Sequence, residues 1–233
     1  MNFPNKNNKS KIAIVFTGIS YGAGRDFNHC FSNIYSQIIE PLKQVSDISI
    51  FLCTYENDKI NELVELYKPK EYKILKFKGS HQVNTYIQSM ESLLGQDFDF
   101  VVATRFDIHF NNKIDSFGID FSKFNALFPE KDWYNRIKWW PVWRNSKYFH
   151  IIKTPFFAQL VSDNFFAFPY KMLEDFIFSL KEEYKKPTRR GLMDMHGVFN
   201  RMEKRVGKNY VNLVSKNEEK SDVNSFFNLC RIK

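Results

Sequence analysis

Apolar residues follow two rhythms along this chain. Residues 11–16, Lys-Ile-Ala-Ile-Val-Phe, form a short apolar run that stops at Thr17-Gly18, the pattern of a buried strand entering a loop that also carries Gly22 and Gly24. Over residues 27–45 the apolar positions Phe31, Ile34, Tyr35, Ile38, Ile39 and Leu42 recur at the helical period, with Pro41 placed to end or kink the last turn. Residues 48–55 repeat the continuous run, and 58–67 put Ile60, Leu63, Val64 and Tyr67 on one helical face. A third strand is predicted over 72–77, a helix over 81–94 and a fourth strand over 98–104.

Strand and helix therefore alternate through the first half, which predicts an α/β fold with a mostly parallel central sheet in a three-layer α/β/α sandwich. The second half is less regular. Residues 126–128 read as a short strand and 157–168 as strand or loop. Residues 170–184 form an amphipathic helix with Met172, Leu173, Phe176, Ile177 and Leu180 on one stripe; 191–206 predict another helix and 216–222 an exposed charged turn. There is no internal repeat and no low-complexity linker.

The 233 residues suffice for one good core, and with 43% hydrophobic residues, including 25 Phe and 11 Tyr, the composition excludes a disordered chain. A flexible arm, residues 1–10, is expected ahead of a single domain over 11–233. Cys30, Cys53 and Cys230 form no ligand-spaced pair, which fits a reduced, cytoplasmic compartment. No apolar run reaches the roughly 20 residues of a membrane span, and residues 1–11 lack an apolar signal core. The formal charge of +8 favours polyanions, nucleotide phosphates or an acidic surface without choosing among them.

Chemistry concentrates at one place. In Asp99-Phe-Val-Val-Ala-Thr-Arg-Phe-Asp-Ile-His-Phe110 an apolar strand leads into Arg105, Asp107 and His109 at period two. Ligands of open α/β sheets bind outside the carboxyl ends of the strands, so this is where such a group meets a substrate. Asp107 and His109 can hold a divalent cation whose sphere a diphosphate completes, and Arg105 can hold a phosphate or pair with Asp107. The competing account is an Arg105–Asp107 ion pair capping the sheet, with His109 on the surface.

Ile14-Val-Phe-Thr-Gly18, Ile50-Phe-Leu-Cys-Thr-Tyr55, Ala103-Thr-Arg-Phe-Asp-Ile-His109 and, more weakly, Ser162-Asp-Asn-Phe-Phe166 together resemble the nucleotide-sugar glycosyltransferases of GT-A fold. The likeness is to small enzymes of bacterial surface-polysaccharide synthesis and of large DNA viruses, and it covers about the first two thirds of the chain. It implies a nucleotide-sugar-binding half, 11–110, and an acceptor-binding half, 111–233. Phe16, Thr17, Gly18, Thr54 and Tyr55 match strand ends that hold the nucleoside, and Arg25 and Arg105 are placed to reach its phosphates. The family binds Mn²⁺ or Mg²⁺ through D-x-D; here Arg105, Asp107 and His109 occupy those positions, and a late histidine, His196, is the candidate third ligand. UDP-sugar donors and a saccharide or glycan acceptor are the implied partners.

Sugar transfer by inversion also needs a carboxylate to deprotonate the acceptor hydroxyl. Asp163, set between Leu160-Val161 and Phe165-Phe166, is the first candidate and Asp194 the second, although an acid at a helix start can be only a cap. Arg189-Arg190 can close over a diphosphate, and Trp139, Trp140 and Trp143 among Arg136, Lys138 and Arg144 suit stacking on sugar rings; core packing and solvated loops compete with both readings. A nucleic-acid-binding protein would explain the charge but not an acidic, histidine-bearing strand exit. Neither G-x-G-x-x-G nor G-K-[ST] occurs, which argues against dinucleotide-binding dehydrogenases and P-loop enzymes. A basic nucleic-acid-binding protein or a non-catalytic nucleotide-binding protein stays open as the alternative.

Overall fold

The computed structural model describes residues 9–76, 82–127, 164–185, 197–214 and 227–229. Strand β1 (Ser10–Thr17) is followed by a small hairpin, β2 (Tyr21–Gly22) and β3 (Arg25–Asp26), and by helix α1 (Phe27–Ile34). A π-helical turn, Tyr35–Ile39, joins α1 to α2 (Glu40–Val45). Then come β4 (Ser46–Tyr55), α3 (Ile60–Tyr67), β5 (Glu71–Leu75), α4 (Gln82–Glu91), β6 (Phe100–Arg105) and β7 (Ile108–Phe110). The later elements are β8 (Phe124–Leu127), β9 (Phe165–Pro169), α5 (Leu173–Tyr184), α6 (Val198–Val206), β10 (Val211–Val214) and β11 (Phe227–Leu229).

Seven strands form the central sheet in the order β10-β8-β9-β6-β1-β4-β5. β5, β4, β1 and β6 are parallel; β9 runs against both β6 and β8, and β10 is parallel to β8. The α/β three-layer prediction is thus met, with β9 as the antiparallel member. β1 lies centrally: the chain leaves it towards β4 and β5 on one side and returns to add β6 on the other. The carboxyl ends of β1 and β6 are therefore the point at which connections diverge, the position where such sheets open a crevice.

Burial on both faces explains why the strands read as continuous apolar runs. Along β1, Ala13 and Val15 join the core under α4, α5 and α6, whereas Ile12, Ile14 and Phe16 join the core under α1, α2 and α3. β6 divides in the same way, Val101 and Ala103 against Phe100 and Val102, as does β9, Phe166 and Phe168 against Phe165 and Ala167. On the first face Phe124, Phe166, Phe168 and Phe176 form an aromatic cluster with ring centroids 4.8–5.7 Å apart. Each such pair adds about 0.5–1.5 kcal/mol beyond the area it buries.

Pro41 does not end its helix. A proline in a helix lacks the N–H that would bond four residues back and its ring crowds that carbonyl, and the chain absorbs the conflict in the wider turn before it. Pro41 is itself buried, and the helical path continues to Val45. Among the described residues no helix is long and apolar enough to cross a membrane.

Candidate functional site

The site is built from the end of β6. Arg105 shares the strand parity of Val101 and Ala103, so it emerges towards α4, and it stands beside Thr17 in the β1–β6 register. The chain then turns at Phe106-Asp107 before β7, so the charged stretch is not one extended strand. That turn brings the Asp107 carboxylate back onto the Arg105 guanidinium. Nε of Arg105 donates to Oδ1 at 2.8 Å and Nη2 donates to Oδ2 at 2.6 Å, a two-point pair in which Asp107 is 2% exposed.

A second guanidinium meets the same carboxylate. Arg25 opens β3 and donates from Nε to Asp107 Oδ2 at 2.9 Å, with its side chain 18% exposed. The hairpin that carries Arg25 is shaped by positive φ at Gly22, Ala23 and Gly24, and Arg25 Nη1 also reaches the Ala23 carbonyl at 3.4 Å. Its far end is held by Asp26, which caps α1 through the Asn28 N–H and pairs with Lys59. Desolvation pulls the Lys59 ammonium down, but Asp26, Glu62 and Tyr21 more than offset it, leaving its pKa above the ordinary lysine value. Lys59 also lies 4.5 Å from the centre of the Tyr21 ring.

Arg105 is fixed from its other side by two residues that sequence reasoning did not assign to the site. Nη1 donates to Asn164 Oδ1 at 3.0 Å and to Gln82 Oε1 at 3.4 Å. Asn164 is fully buried, and its backbone carbonyl accepts the Thr104 hydroxyl at 2.8 Å, so it ties the entry of β9 to the exit of β6 twice. The available signal was a polar residue running into Phe165-Phe166, which pointed to Asn164 as much as to the neighbouring Asp163. Gln82 carried no such signal, since its role depends on where α4 begins.

The nucleoside candidates line the ends of β1 and β4. Thr17 is fully buried and directs its hydroxyl to the Thr104 carbonyl at 3.5 Å; Gly18 has φ +99° and donates its N–H to the Cys53 carbonyl. Thr54 accepts the Ser20 N–H at 3.1 Å and donates to the Ser20 hydroxyl at 2.9 Å, while Asn57 donates to that hydroxyl and to the Tyr55 carbonyl. These bonds shape the loop after β1. Phe16 faces the other way, into the core, with its ring 4.9 Å from Tyr67 and 5.9 Å from Phe106. Asp163, Asp194 and His196 lie outside the described residues, as do Trp139, Trp140, Trp143 and Arg189-Arg190.

Of the candidate metal ligands, Asp107 is engaged by guanidiniums and His109 is exposed on β7, while His196 lies outside the described residues. A cation needs carboxylate lone pairs, and both Asp107 oxygens accept guanidinium N–H groups. His109 sits on β7 between buried Ile108 and Phe110 and is itself exposed. Cationic groups from β3, β6 and the loop after β4 stand at the carboxyl end of the sheet, each paired with a carboxylate: Arg25 and Arg105 with Asp107, and Lys59 with Asp26. No protein-family model and no curated protein sequence matches this chain.

Proposed function

We propose that the chain is a glycosyltransferase that moves a sugar from a nucleoside-diphosphate sugar, a UDP-sugar first among them, to a hydroxyl of a saccharide or glycan acceptor. The observation that carries this reading is the convergence of Arg25 and Arg105 on Asp107 where β1 and β6 end. When the glycosidic bond of such a donor breaks, negative charge grows on the departing diphosphate, and guanidiniums already oriented there lower the barrier without reorganising. Thr17, Gly18, Thr54 and Tyr55 stand at the carboxyl ends of β1 and β4, the strand ends on which the resemblance to GT-A enzymes rests and to which it assigns the nucleoside. Asp163 is the proposed base for the acceptor hydroxyl, with Asp194 second, and Trp139, Trp140 and Trp143 the proposed sugar-stacking surface, in a cytoplasmic enzyme that takes no nucleic acid.

The test is a panel of nucleotide sugars assayed for hydrolysis and transfer, with calorimetric titration of UDP and GDP. Binding of one nucleotide and turnover of its sugar support the proposal. If neither nucleotide binds, with or without Mn²⁺, and no donor turns over, it falls. Asp163→Asn should spare donor binding while reducing transfer; transfer at the parent rate would remove Asp163 as the base.

A further inference from the structure

We infer that the β2–β3 hairpin is a strap closed over the carboxyl ends of β4, β1 and β6, that the Arg25–Asp107 pair is its latch, and that the strand ends open to a ligand when the latch releases. The strap follows from the fold alone; that the ligand it admits is a nucleotide rests on the function proposed above.

Closure shows at the strand ends themselves. Thr17, Gly18, Thr54 and Tyr55 are all buried. Their polar groups serve the chain: the Thr17 hydroxyl turns to the Thr104 carbonyl, the Gly18 N–H donates to the Cys53 carbonyl, and Thr54 exchanges two hydrogen bonds with Ser20. Asn57 donates to the Ser20 hydroxyl and to the Tyr55 carbonyl. A ligand reaches these positions by displacing the loop after β1, because buried polar groups give up one partner only for another.

The hairpin has the build of a moving part on a fixed base. Ser20 and Phe27 are fully buried, and the Phe27 N–H donates to the Ser20 carbonyl at 2.9 Å, which pins the two ends together. Between them Tyr21 pairs with Asp26 and Gly22 with Arg25, a ladder too short to be stable on its own. The tip, residues 22–24, is exposed, and a Cβ at Gly22 would meet nothing within 4 Å. Side chains therefore set where the hairpin lies. On one side Lys59, from the loop after β4, sits over the Tyr21 ring and pairs with Asp26; on the other, Arg25 reaches Asp107 after β6. β1 runs between β4 and β6, so the hairpin crosses three strand ends.

The two anchorages differ. Asp26 also caps α1, so the Lys59 side belongs to the base. On the far side Asp107 stays paired with Arg105 through both oxygens when Arg25 leaves, so release strands no buried carboxylate. Arg25, its side chain already 18% exposed, moves out into water. Gly22 and Gly24, on either side of Ala23, take either sign of φ and supply the pivot.

Hydrogen exchange on the full-length chain, read by mass spectrometry, tests the strap. In the parent the amides of 18–26 should exchange by local opening, faster than those of 12–16 in β1 and with little response to sub-denaturing urea, which speeds exchange over 12–16. Arg25→Gln should speed exchange over 18–26 at least about tenfold, the size of one lost charge-assisted bond, and leave it as insensitive to urea as before. A urea response over 18–26 equal to that over 12–16 would mean that the hairpin opens with the whole fold, and would overturn the inference; this arm needs no variant. Exchange over 18–26 at the parent rate in folded Arg25→Gln would also overturn it. Stopped-flow association of UDP and GDP then reads access: with a larger open fraction, Arg25→Gln should bind at least about threefold faster. A nucleotide that binds the variant no faster than the parent would show that the hairpin does not gate the strand ends. If neither nucleotide binds parent or variant while exchange behaves as expected, the strap stands and the nucleotide-sugar reading falls.

Discussion

Asn33 on α1 pairs with the backbone of Phe110 on β7 as a neighbouring strand would. Its Nδ2 donates to the Phe110 carbonyl at 2.9 Å, and its Oδ1 accepts the Phe110 N–H at 2.6 Å. On its other edge β7 pairs with β11. A three-residue strand is thereby held between a helix side chain and a short partner strand, and the turn that carries Asp107 leads directly into it. Asn33→Ala leaves both Phe110 groups without this partner, and should lower the unfolding free energy by about 1–3 kcal/mol in urea titration. An unchanged midpoint would mean that water replaces the amide at no cost.

Asn125 performs a larger task inside the sheet. Fully buried on β8, it donates from Nδ2 to the carbonyls of Asp120, Lys123 and Ala167, and accepts the Asp120 N–H and the Asn212 amide on Oδ1. One side chain thus ties β8 to β9, to β10 and to the turn before it. Asn125→Ala should cost at least about 2 kcal/mol, since buried backbone groups lose their partner together. Asn125→Asp should cost a similar amount, because a carboxylate cannot donate to three carbonyls. Chemical denaturation of the two variants measures both.

Tyr67 presents the opposite case. Its ring is packed edge-on against Phe16, Phe31 and Phe106, but among the described residues its buried hydroxyl has no hydrogen-bond partner. A stranded hydroxyl costs about 1–3 kcal/mol, so Tyr67→Phe should leave stability unchanged or raise it. A loss of more than about 1 kcal/mol in the melt would reveal a water or other partner for the hydroxyl.

Alkaline stability should depend on Cys53. Burial in β4 is the main cause that pushes its thiol from 9.0 up to about 12, with Lys73 acting weakly in the other direction. The folded value lies above the unfolded one, so the unfolded chain loses its proton first as the pH rises. The stabilising contribution is complete below pH 9.0 and is lost progressively towards pH 12. Within that window one proton corresponds to a slope of about 1.4 kcal/mol per pH unit. Burial also raises the Tyr67 phenol, which adds to the same decline, so the difference between parent and Cys53→Ala isolates the thiol. Equal slopes in the two proteins would show that Cys53 does not titrate on unfolding.

The alternation of strands and helices was legible because it is a local property. Whether Val15 or Phe16 faces one layer or the other depends only on strand parity, and the helical stripes depend only on spacing. Segment ends were less legible. Pro41 pointed to a break, but a neighbouring turn can widen to accommodate it, and that solution is visible only in the packed helix. Residues 157–168 fit strand or loop equally in the sequence, because a short apolar run carries no period that distinguishes the two; the structure forms β9 over Phe165–Pro169. That it lies antiparallel between β6 and β8 is a matter of pairing across the sheet, which no local pattern specifies.

The cluster Arg105, Asp107 and His109 was legible as a place, from charge at the end of an apolar strand. Of the two arrangements the sequence left open, the structure has the Arg105–Asp107 ion pair with His109 at the surface. The turn at Phe106-Asp107 folds Asp107 onto Arg105 and leaves His109 exposed on a separate strand, where period two alone had all three side chains together. Arg25, 82 residues away, and Asn164, 59 residues from Arg105, reach the same point through the order of strands in the sheet.

By itself the sequence determined the α/β layering, the two apolar faces of the sheet and the strand end where charge collects, because burial pattern and side-chain chemistry are written residue by residue. Only the tertiary structure decided that Asp107 answers to two arginines, and that Asn164 and Gln82 hold one of them. Such partnerships require polar atoms from segments far apart in the chain to meet within about 3 Å, and no local spacing encodes that meeting.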